Sequence, residues 1–272
     1  MKSEIIQNIK SLPVIPESVR KIQEVCSDAR SSIADVVKIV EKDPILTASL
    51  LRAANSPLYG FAREVNTISQ AISLFGMSTI KGFAIVTVIR SRFKIDLSPY
   101  NLSDKDFLRT AELQNAFMVR WISKSNRTLL DLLAPASFLL EMGVVILSNV
   151  LIQKNEQEIF QKKLQKRVVM PIVEIERDVF GMSSYEAAAE LFEYWNFDQS
   201  LVTMMRNIQT PETVAKNLRH YAYALSTVQS LISLYDAFSD EQVQNATRLA
   251  KMGHFQEHLF DSTLNDFQKI LQ

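Results

Sequence analysis

The three histidines are the side chains of this sequence best suited to ligate a metal or to move a proton near neutral pH. They are His220, His254 and His258, all in the last quarter of the chain. His254 and His258 are four residues apart and would share one helix face, a spacing that can bind zinc. No third ligand accompanies them, and the adjacent Gln256 and Glu257 favour a solvated surface. We therefore predict no metal site there, and we interpret His220 as a hydrogen-bonded structural histidine.

Two other charged groups could contribute to binding. Glu141 is a lone acid in an apolar segment, and burial would raise its pKa unless a cation pairs with it. We favour pairing with an arginine such as Arg109 or Arg120; the alternative is a remnant of an ancestral site. A basic cluster, which could meet phosphate or an acidic partner, comprises Lys162, Lys163, Lys166 and Arg167. Acidic residues lie close to it, so an ordinary charged helix face is the favoured interpretation.

The stretch from residue 43 to residue 60 ends in an unusual group of polar side chains. Asp43 and Pro44 are a helix-start signal, because aspartate accepts hydrogen bonds from free N–H groups and proline fits the first helical position. The helix then stops at Asn55-Ser56-Pro57-Leu58-Tyr59-Gly60. We favour a structural role for Asn55, Ser56 and Tyr59, in which the tyrosine hydroxyl finds a partner and Gly60 permits a tight turn. The alternative is that Asp43, Asn55, Ser56, Tyr59 and Gly60 contribute to a surface that recognises another protein.

Composition limits the class of protein. The chain has 272 residues, of which 47% are hydrophobic and only 6 are glycine, and it contains 30 basic and 30 acidic residues. A large core is therefore expected, disorder is not, and the absence of a basic excess makes nucleic acid an unlikely partner. The single cysteine, Cys26, is expected to be a buried small hydrophobe. The N-terminus does not resemble a signal peptide and apolar runs such as 138–147 are too short to span a bilayer, so a cytoplasmic location is predicted, with no membrane contact.

Hydrophobic periodicity and capping signals predict an all-α chain. Residues 94–103 resemble a linker between two helical halves, the second of which starts at 104. The predicted helices cover approximately 4–10, 16–28, 33–42, 44–55, 68–76, 78–92, 104–124, 131–150, 154–166, 171–180, 184–195, 198–208 and 210–235, followed by two that flank Gly253.

Several of these segments together resemble one known family, the HDOD domain, an HD-related output domain of bacterial signalling proteins. The segments that carry the resemblance are Leu12-Pro13-Val14-Ile15-Pro16, Asp43-Pro44, Leu50-Leu51-Arg52, Ala54 to Gly60, Ile68, Gln70-Ala71-Ile72 and Leu74-Phe75-Gly76. Gly181, Glu186 and Trp195 resemble a later part of the family pattern. The resemblance implies an HDOD-like multi-helical domain over residues 12–209, with its N-terminal half ending near 93, and a helical C-terminal extension over 210–272.

The resemblance also implies which catalytic residues have been lost. The family's distant relatives are metal-dependent HD phosphohydrolases, whose histidine and aspartate ligands would fall here at Thr110, Leu140-Glu141 and Ser184, with later ones at Ile208-Gln209 and Tyr223. None of these residues is histidine or aspartate, so a catalytic site, a metal site and a cofactor are not expected. The favoured function is a noncatalytic output or scaffold module that contacts other signalling proteins, in motility or gene regulation. A residual phosphohydrolase acting on nucleotides and a nucleic-acid-binding regulator are the alternatives.

Overall fold

The fold, taken from a computed structural model, is described for residues 1–12, 17–28, 30–92 and 95–271. No strand occurs in these ranges, and a single antiparallel bridge joins Ile232 to Ala237. The all-α prediction is therefore confirmed. The α-helices are α1 (Lys2–Ser11), α2 (Glu17–Ser27), α3 (Ile33–Val40), α4 (Pro44–Ala54), α5 (Ile68–Phe75), α6 (Met77–Arg92), α7 (Asp104–Ser125), α8 (Leu130–Phe138), α9 (Met142–Lys154), α10 (Gln157–Leu164), α11 (Ile172–Phe180), α12 (Ser184–Tyr194), α13 (Gln199–Arg206), α14 (Lys216–Leu231), α15 (Asp240–Met252) and α16 (Glu257–Leu271).

Helix starts follow the capping signals closely. Asp43 is the N-cap of α4, where its Oδ1 accepts hydrogen bonds from the backbone N–H groups of Ile45 and Leu46, both at 3.0 Å. Capping boxes, in which the N-cap side chain and the side chain three residues later satisfy each other's backbone N–H groups, begin α5 at Thr67 and α12 at Ser183. The helix predicted from Ser78 starts one residue earlier, at Met77.

Three predicted helices are shorter than expected. The apolar run 131–150 is divided into α8 and α9 by a break at residues 139–141. The sequence does not predict this break, because an apolar composition does not show where a buried helix turns. The run 154–166 is α10 followed by a 3-10 turn over Gln165–Val168. The run 210–235 begins with a 3-10 turn at Pro211–Thr213 and ends as a helix at Leu231. Pro13 to Pro16 and Lys94 lie outside the described residues.

The core runs through both predicted halves and into the C-terminal helices. Helix α7 is the central element: it packs on α8, on α14 and on α16. Among its fully buried side chains are Phe117 and Trp121, which contact the rings of Phe260 and Phe267 on α16. The division into halves and an extension remains a prediction.

The stretch Arg127–Lys154 is long and apolar enough to cross a membrane, but 89% of its most apolar window is buried inside the protein. Helices α5 and α6, joined at a bend of 112°, pass the same test of length and composition when taken together. Burial of this extent is typical of the core helices of a soluble domain.

Candidate functional site

Asn55 and Ser56 organise the loop that follows α4. Asn55 is the C-cap of α4, and its side chain pairs with the backbone of Val65: Nδ2 donates to the Val65 carbonyl at 2.8 Å and Oδ1 accepts from the Val65 N–H at 2.9 Å. The Ser56 hydroxyl accepts from the Leu58 N–H at 3.3 Å. The Asn55 side chain is thus used to close its own loop, which supports the structural interpretation.

Tyr59 joins this loop to α7 and α8. Its side chain is 5% exposed, and its hydroxyl donates to Asn115 Oδ1 at 2.8 Å. Asn115 is fully buried and connects Tyr59 to α8, because its Nδ2 donates to the Ala134 carbonyl and to the Ser137 hydroxyl. Burial raises the pKa of Tyr59 far above its usual value, so the hydroxyl stays a donor.

The absence of a side chain at Gly60 leaves room for Arg120 of α7 to reach the backbone of the loop. The φ of Gly60 is +68°, a conformation that side-chain-bearing residues rarely adopt. A methyl group on Gly60 would overlap the Arg120 guanidinium and lie 2.7 Å from its Cζ. Arg120 Nη2 donates to the Pro57 carbonyl at 3.0 Å. The segment 55–60 therefore docks on α7 through Tyr59 and through Pro57.

Gly60→Ala should lower the free energy of unfolding by about 2–3 kcal/mol, the left-handed backbone contributing about 1–2 and loss of the Arg120 bond about 1. The measurement is urea denaturation of both proteins. Gly181→Ala is a matched control, since its φ is +75° but its methyl group would lie 3.8 Å from Lys2 Cβ, an ordinary contact. Equal losses in the two variants would show that the contact with Arg120 contributes nothing.

A groove of about 170 Å³ opens beside this loop, between α4, α6 and α7. Its walls include Leu58, Tyr59, Phe83 and Leu108, and the exposed Arg52 lies at its rim. This volume is below the range of about 300–1,000 Å³ typical of drug-sized ligands. The groove is suited to one apolar side chain of another molecule.

A second polar centre is buried around Glu176 on α11. This glutamate is 0% exposed and accepts three hydrogen bonds: from the Ser184 N–H at 2.7 Å, from the Ser184 hydroxyl at 2.9 Å and from the Tyr100 hydroxyl at 3.1 Å. Both carboxyl oxygens are thus engaged by the protein itself.

Glu141 belongs to the same centre. It lies at the break between α8 and α9, 4% exposed, and its Oε1 accepts from Gln114 Nε2 at 2.8 Å. Gln114 Nε2 also donates to the Ile232 carbonyl at 2.9 Å, and its buried Oε1 has no partner. The expected pairing with Arg109 or Arg120 is wrong. Arg109 is exposed and Arg120 is directed at Pro57, so the burial cost of Glu141 is met by an amide instead.

Burial and the charge of Glu176 both affect the ionisation of Glu141. Burial raises the pKa of Glu141 to about 7, and the charge of Glu176 raises it as well, while the hydrogen bond from Gln114 acts in the opposite direction. Burial also raises the pKa of Glu176 to about 7, against its three hydrogen bonds and the nearby Arg177. Because Glu176 has three donors and Glu141 has one, we assign the first ionisation to Glu176 and the retained proton to Glu141.

The structure brings some of the predicted vestigial positions together. Ser184 and Glu141 both belong to the buried acid centre, and Gly143, two residues after Glu141, packs against the Ser184 carbonyl. Thr110 is buried one helical turn before Gln114 on α7, and Leu140 is buried in the hydrophobic core. Of the later positions, the Ile208 carbonyl accepts from Ser226, and Tyr223 lies against Gly253.

Glu176, Gln114 and Asn115 were not expected to take part in a site. Glu176 could have been found from its position, since it falls on the same face of α11 as the buried Val173 and Phe180, at spacings of three and four. Gln114 and Asn115 likewise interrupt a run of buried residues in α7. A polar residue on an apolar helix face is the sequence signal in all three cases.

The remaining candidates have structural roles. His220 Nδ1 lies 2.6 Å from the Gly253 carbonyl and its ring stacks on Phe255, which confirms the interpretation of this histidine. His254 has a φ of +61° in the turn between α15 and α16, whereas His258 lies on α16. The one-helix geometry considered for a zinc pair is therefore wrong.

Cys26 is half-buried, donates from Sγ to the Met77 carbonyl at 3.3 Å, and has a pKa raised by burial to about 11. It is accordingly a poor nucleophile. In the basic cluster, Lys163 pairs with Asp178 at 2.7 Å and Arg167 stacks over the Tyr235 ring at 4.5 Å. Lys166 and Arg167 lie in the 3-10 turn after α10, so the cluster is not on one helix.

Within the described parts of the chain, no group of three or more histidine, cysteine, aspartate or glutamate side chains is arranged to hold a metal ion. The acid centre contributes two carboxyls, and in both cases the surrounding protein already supplies hydrogen-bond donors.

Comparison with known proteins places this geometry in a family. A family model for the HDOD domain matches residues 12–211. A virulence factor from Campylobacter jejuni is 32% identical over all of this chain and 97% of its own length, with a TM-score of 0.63. A comparison with curated proteins gives no significant match.

Two more distant structures share the fold. A provisionally named phosphohydrolase from Shewanella amazonensis is 19% identical, with coverage of 100% of this chain and 99% of that one and a TM-score of 0.66. A provisionally named signal transduction protein from Marinobacter aquaeolei is 20% identical, and the match spans 96% of this chain and 59% of that one, with a TM-score of 0.67.

Proposed function

This chain belongs to the HDOD domain family, and from that premise we propose that it is a noncatalytic output or scaffold module of bacterial signal transduction. It works in the cytoplasm through contacts with other signalling proteins, in motility or in gene regulation. The name of the Marinobacter relative is consistent with signalling.

One observation carries the noncatalytic part of the proposal, namely that the acid centre is closed by the protein's own side chains. A metal-dependent hydrolase needs open ligand positions and access for substrate and water. Here Glu176 is 0% exposed and Glu141 is 4% exposed, and the donors on them come from Ser184, Tyr100 and Gln114. In this closed arrangement both carboxyls are hydrogen-bonded within the fold and offer no open ligand position to a metal.

The contact surface that we propose is the groove beside the loop 55–60. The Tyr59 hydroxyl is already bonded to Asn115, so the part left for a partner is the apolar wall with Leu58 and the rim with Arg52. The occupant is a segment of a partner protein that inserts one large apolar side chain. Arg52 and Glu112 are both exposed and both line the groove, so the residues that flank this anchor meet one charge of each sign, and an acidic residue is placed on the Arg52 side. Charge complementarity at a rim favours rapid and specific association, while the buried anchor supplies most of the affinity.

Arg52→Glu and Ser49→Trp should each abolish capture of that partner, the first by charge repulsion and the second by filling the groove. The measurement is cross-linking and affinity capture from the native cell, with quantitative mass spectrometry. Lys42→Glu is the control, because Lys42 is exposed and does not line the groove. The supporting result is a protein retained by the wild type and by Lys42→Glu and lost from both groove variants.

Other outcomes would contradict the proposal. Partners retained by all variants would remove the groove as the contact site. Turnover of a nucleotide panel by the purified protein with divalent metal would replace the scaffold with the phosphohydrolase. Tight DNA or RNA binding that weakens steeply with salt would favour the nucleic-acid regulator.

A further inference from the structure

The buried acid centre is linked by hydrogen bonds to one short segment of the C-terminal part of the chain. Residues 232–238, which we call the strap, follow α14 and are closed by the bridge between Ile232 and Ala237. Within the strap, the Ser233 N–H donates to the Asp236 carbonyl at 2.9 Å, and the Phe238 N–H donates back to the Leu231 carbonyl at 3.1 Å. The strap is thus a turn with hydrogen-bonded amides.

Two chains of hydrogen bonds tie the strap to the two acids. The first runs from the Ile232 carbonyl through Gln114 Nε2 to Glu141 Oε1, at 2.9 and 2.8 Å. The second runs from the Tyr235 hydroxyl to the Tyr100 carbonyl at 2.8 Å, and Tyr100 in turn donates from its hydroxyl to Glu176 at 3.1 Å. Each acid is therefore one intermediate residue away from the strap.

We propose that the strap is a charge-controlled latch: it stays closed while the acid pair carries at most one negative charge, and it is released when Glu141 and Glu176 are both ionised. Closing the strap keeps both carboxyls out of water. A second negative charge in that space must either be paired or be hydrated, and opening the strap admits water.

No cation among the described neighbours is in a position to neutralise the second charge. The titratable groups that act on Glu141 and Glu176 from the surrounding elements are each other, Tyr185 on α12, Tyr235 on the strap, Tyr100 and Arg177. Arg177 already pairs with Glu186, and Arg167 stacks over the ring of Tyr235. The buried Gln114 Oε1, an acceptor without a donor, marks the place where the entering water finds a partner.

The direction of the pH dependence follows from the acids. Glu141 has an ordinary pKa of 4.5, and burial beside Glu176 raises it to about 7 in the closed protein. A group whose pKa is raised by closure of the strap binds its proton more tightly in the closed protein. Closure is therefore most favoured at pH values below the ordinary pKa, and it weakens as the pH rises through the raised pKa. The strap should be closed in mild acid and released in mild base.

Hydrogen exchange of the strap amides tests this independently of any partner or activity. Protection factors, corrected for the intrinsic pH dependence of exchange, should fall at least about tenfold between about pH 5.5 and about pH 8.5, since each pKa unit of difference is a factor of about ten in the opening equilibrium. In Glu141→Gln only the ionisation of Glu176 remains, so the fall in protection between the two pH values should be clearly smaller than in the wild type. Glu158→Gln, a change of an exposed acid on α10, should behave as the wild type does.

Tyr235→Phe separates the hydrogen bond from the charge. Without the bond to the Tyr100 carbonyl, strap protection should be lower at every pH, while its pH dependence should persist. The latch is disproved if wild-type protection is the same in acid and base, or if Glu141→Gln follows the wild-type pH dependence. It is also disproved if the amides of α12 lose protection in parallel with the strap, since that result would indicate general unfolding.

Discussion

Gly143→Ala is expected to destabilise the protein by at least about 4 kcal/mol, a large part of the about 5–15 kcal/mol that folded domains have available. Gly143 lies in the first turn of α9, where it packs against the first turn of α12. A methyl group there would overlap the Ser184 carbonyl oxygen and lie 2.9 Å from Ser184 Cα. The obstacle is backbone, so no side-chain rotation relieves it. Separation of the helices would also pull the Ser184 N–H and hydroxyl from Glu176.

The expected loss of stability in Gly143→Ala is opposite in sign to the usual effect of this substitution in a helix. Replacing glycine by alanine within a helix normally stabilises it by about 1 kcal/mol. Urea denaturation, or the yield of folded protein where the variant does not survive purification, measures the effect at Gly143. Gly181→Ala, which meets no backbone atom, is the comparison and should lose only about 1–2 kcal/mol for its left-handed conformation. A stable Gly143→Ala protein would mean that α9 and α12 are not packed as described.

Local signals in the sequence were sufficient for most of the helices. The starts of α4, α5 and α12 depend on hydrogen bonds between residues at most three apart, so Asp43, Thr67 and Ser183 could be identified from neighbouring residues alone. The fold class and the family depended on such signals and on the segment 54–60, and both are confirmed.

The acid centre was only partly predictable, because its geometry depends on contacts far apart in the chain. The break at 139–141 has no glycine, and its one polar residue, Glu141, finds a partner 27 residues earlier, in Gln114. Gln114 in turn contacts Ile232, 118 residues later. Periodicity describes which face of a helix is buried but not what it is buried against, and this is why an arginine partner was expected for Glu141.

The segment 55–60 shows the same limit in a different way. Its residues suggested a choice between a structural role and a recognition surface. The hydroxyl of Tyr59 is hydrogen-bonded to Asn115, and the carboxamide of Asn55 is hydrogen-bonded to Val65. These groups therefore stabilise the loop through bonds within the protein. Recognition by this region, which we keep as a proposal, would use the groove that the segment builds.

The connection between Tyr59 and Asn115 should have the second-largest measurable effect. Asn115→Leu keeps a branched side chain of similar shape but leaves the buried Tyr59 hydroxyl without an acceptor and removes one of the donors to the Ala134 carbonyl, which keeps the Ser137 hydroxyl, at an expected cost of about 3 kcal/mol. Tyr59→Phe leaves Asn115 Oδ1 unpaired and should cost about 1–2 kcal/mol.

The double variant separates the buried pair from the separate effects of the two substitutions. With both groups removed, no hydroxyl or carbonyl of this pair remains unsatisfied, so the double variant should be less destabilised than the sum of the single variants by about 1–2 kcal/mol. Urea denaturation of the four proteins gives this coupling energy. Tyr194→Phe, which removes a hydroxyl bonded at the surface to the Lys10 carbonyl, should cost less than about 0.5 kcal/mol. Strictly additive losses would show that Tyr59 and Asn115 stabilise the protein independently, with no coupling through their hydrogen bond.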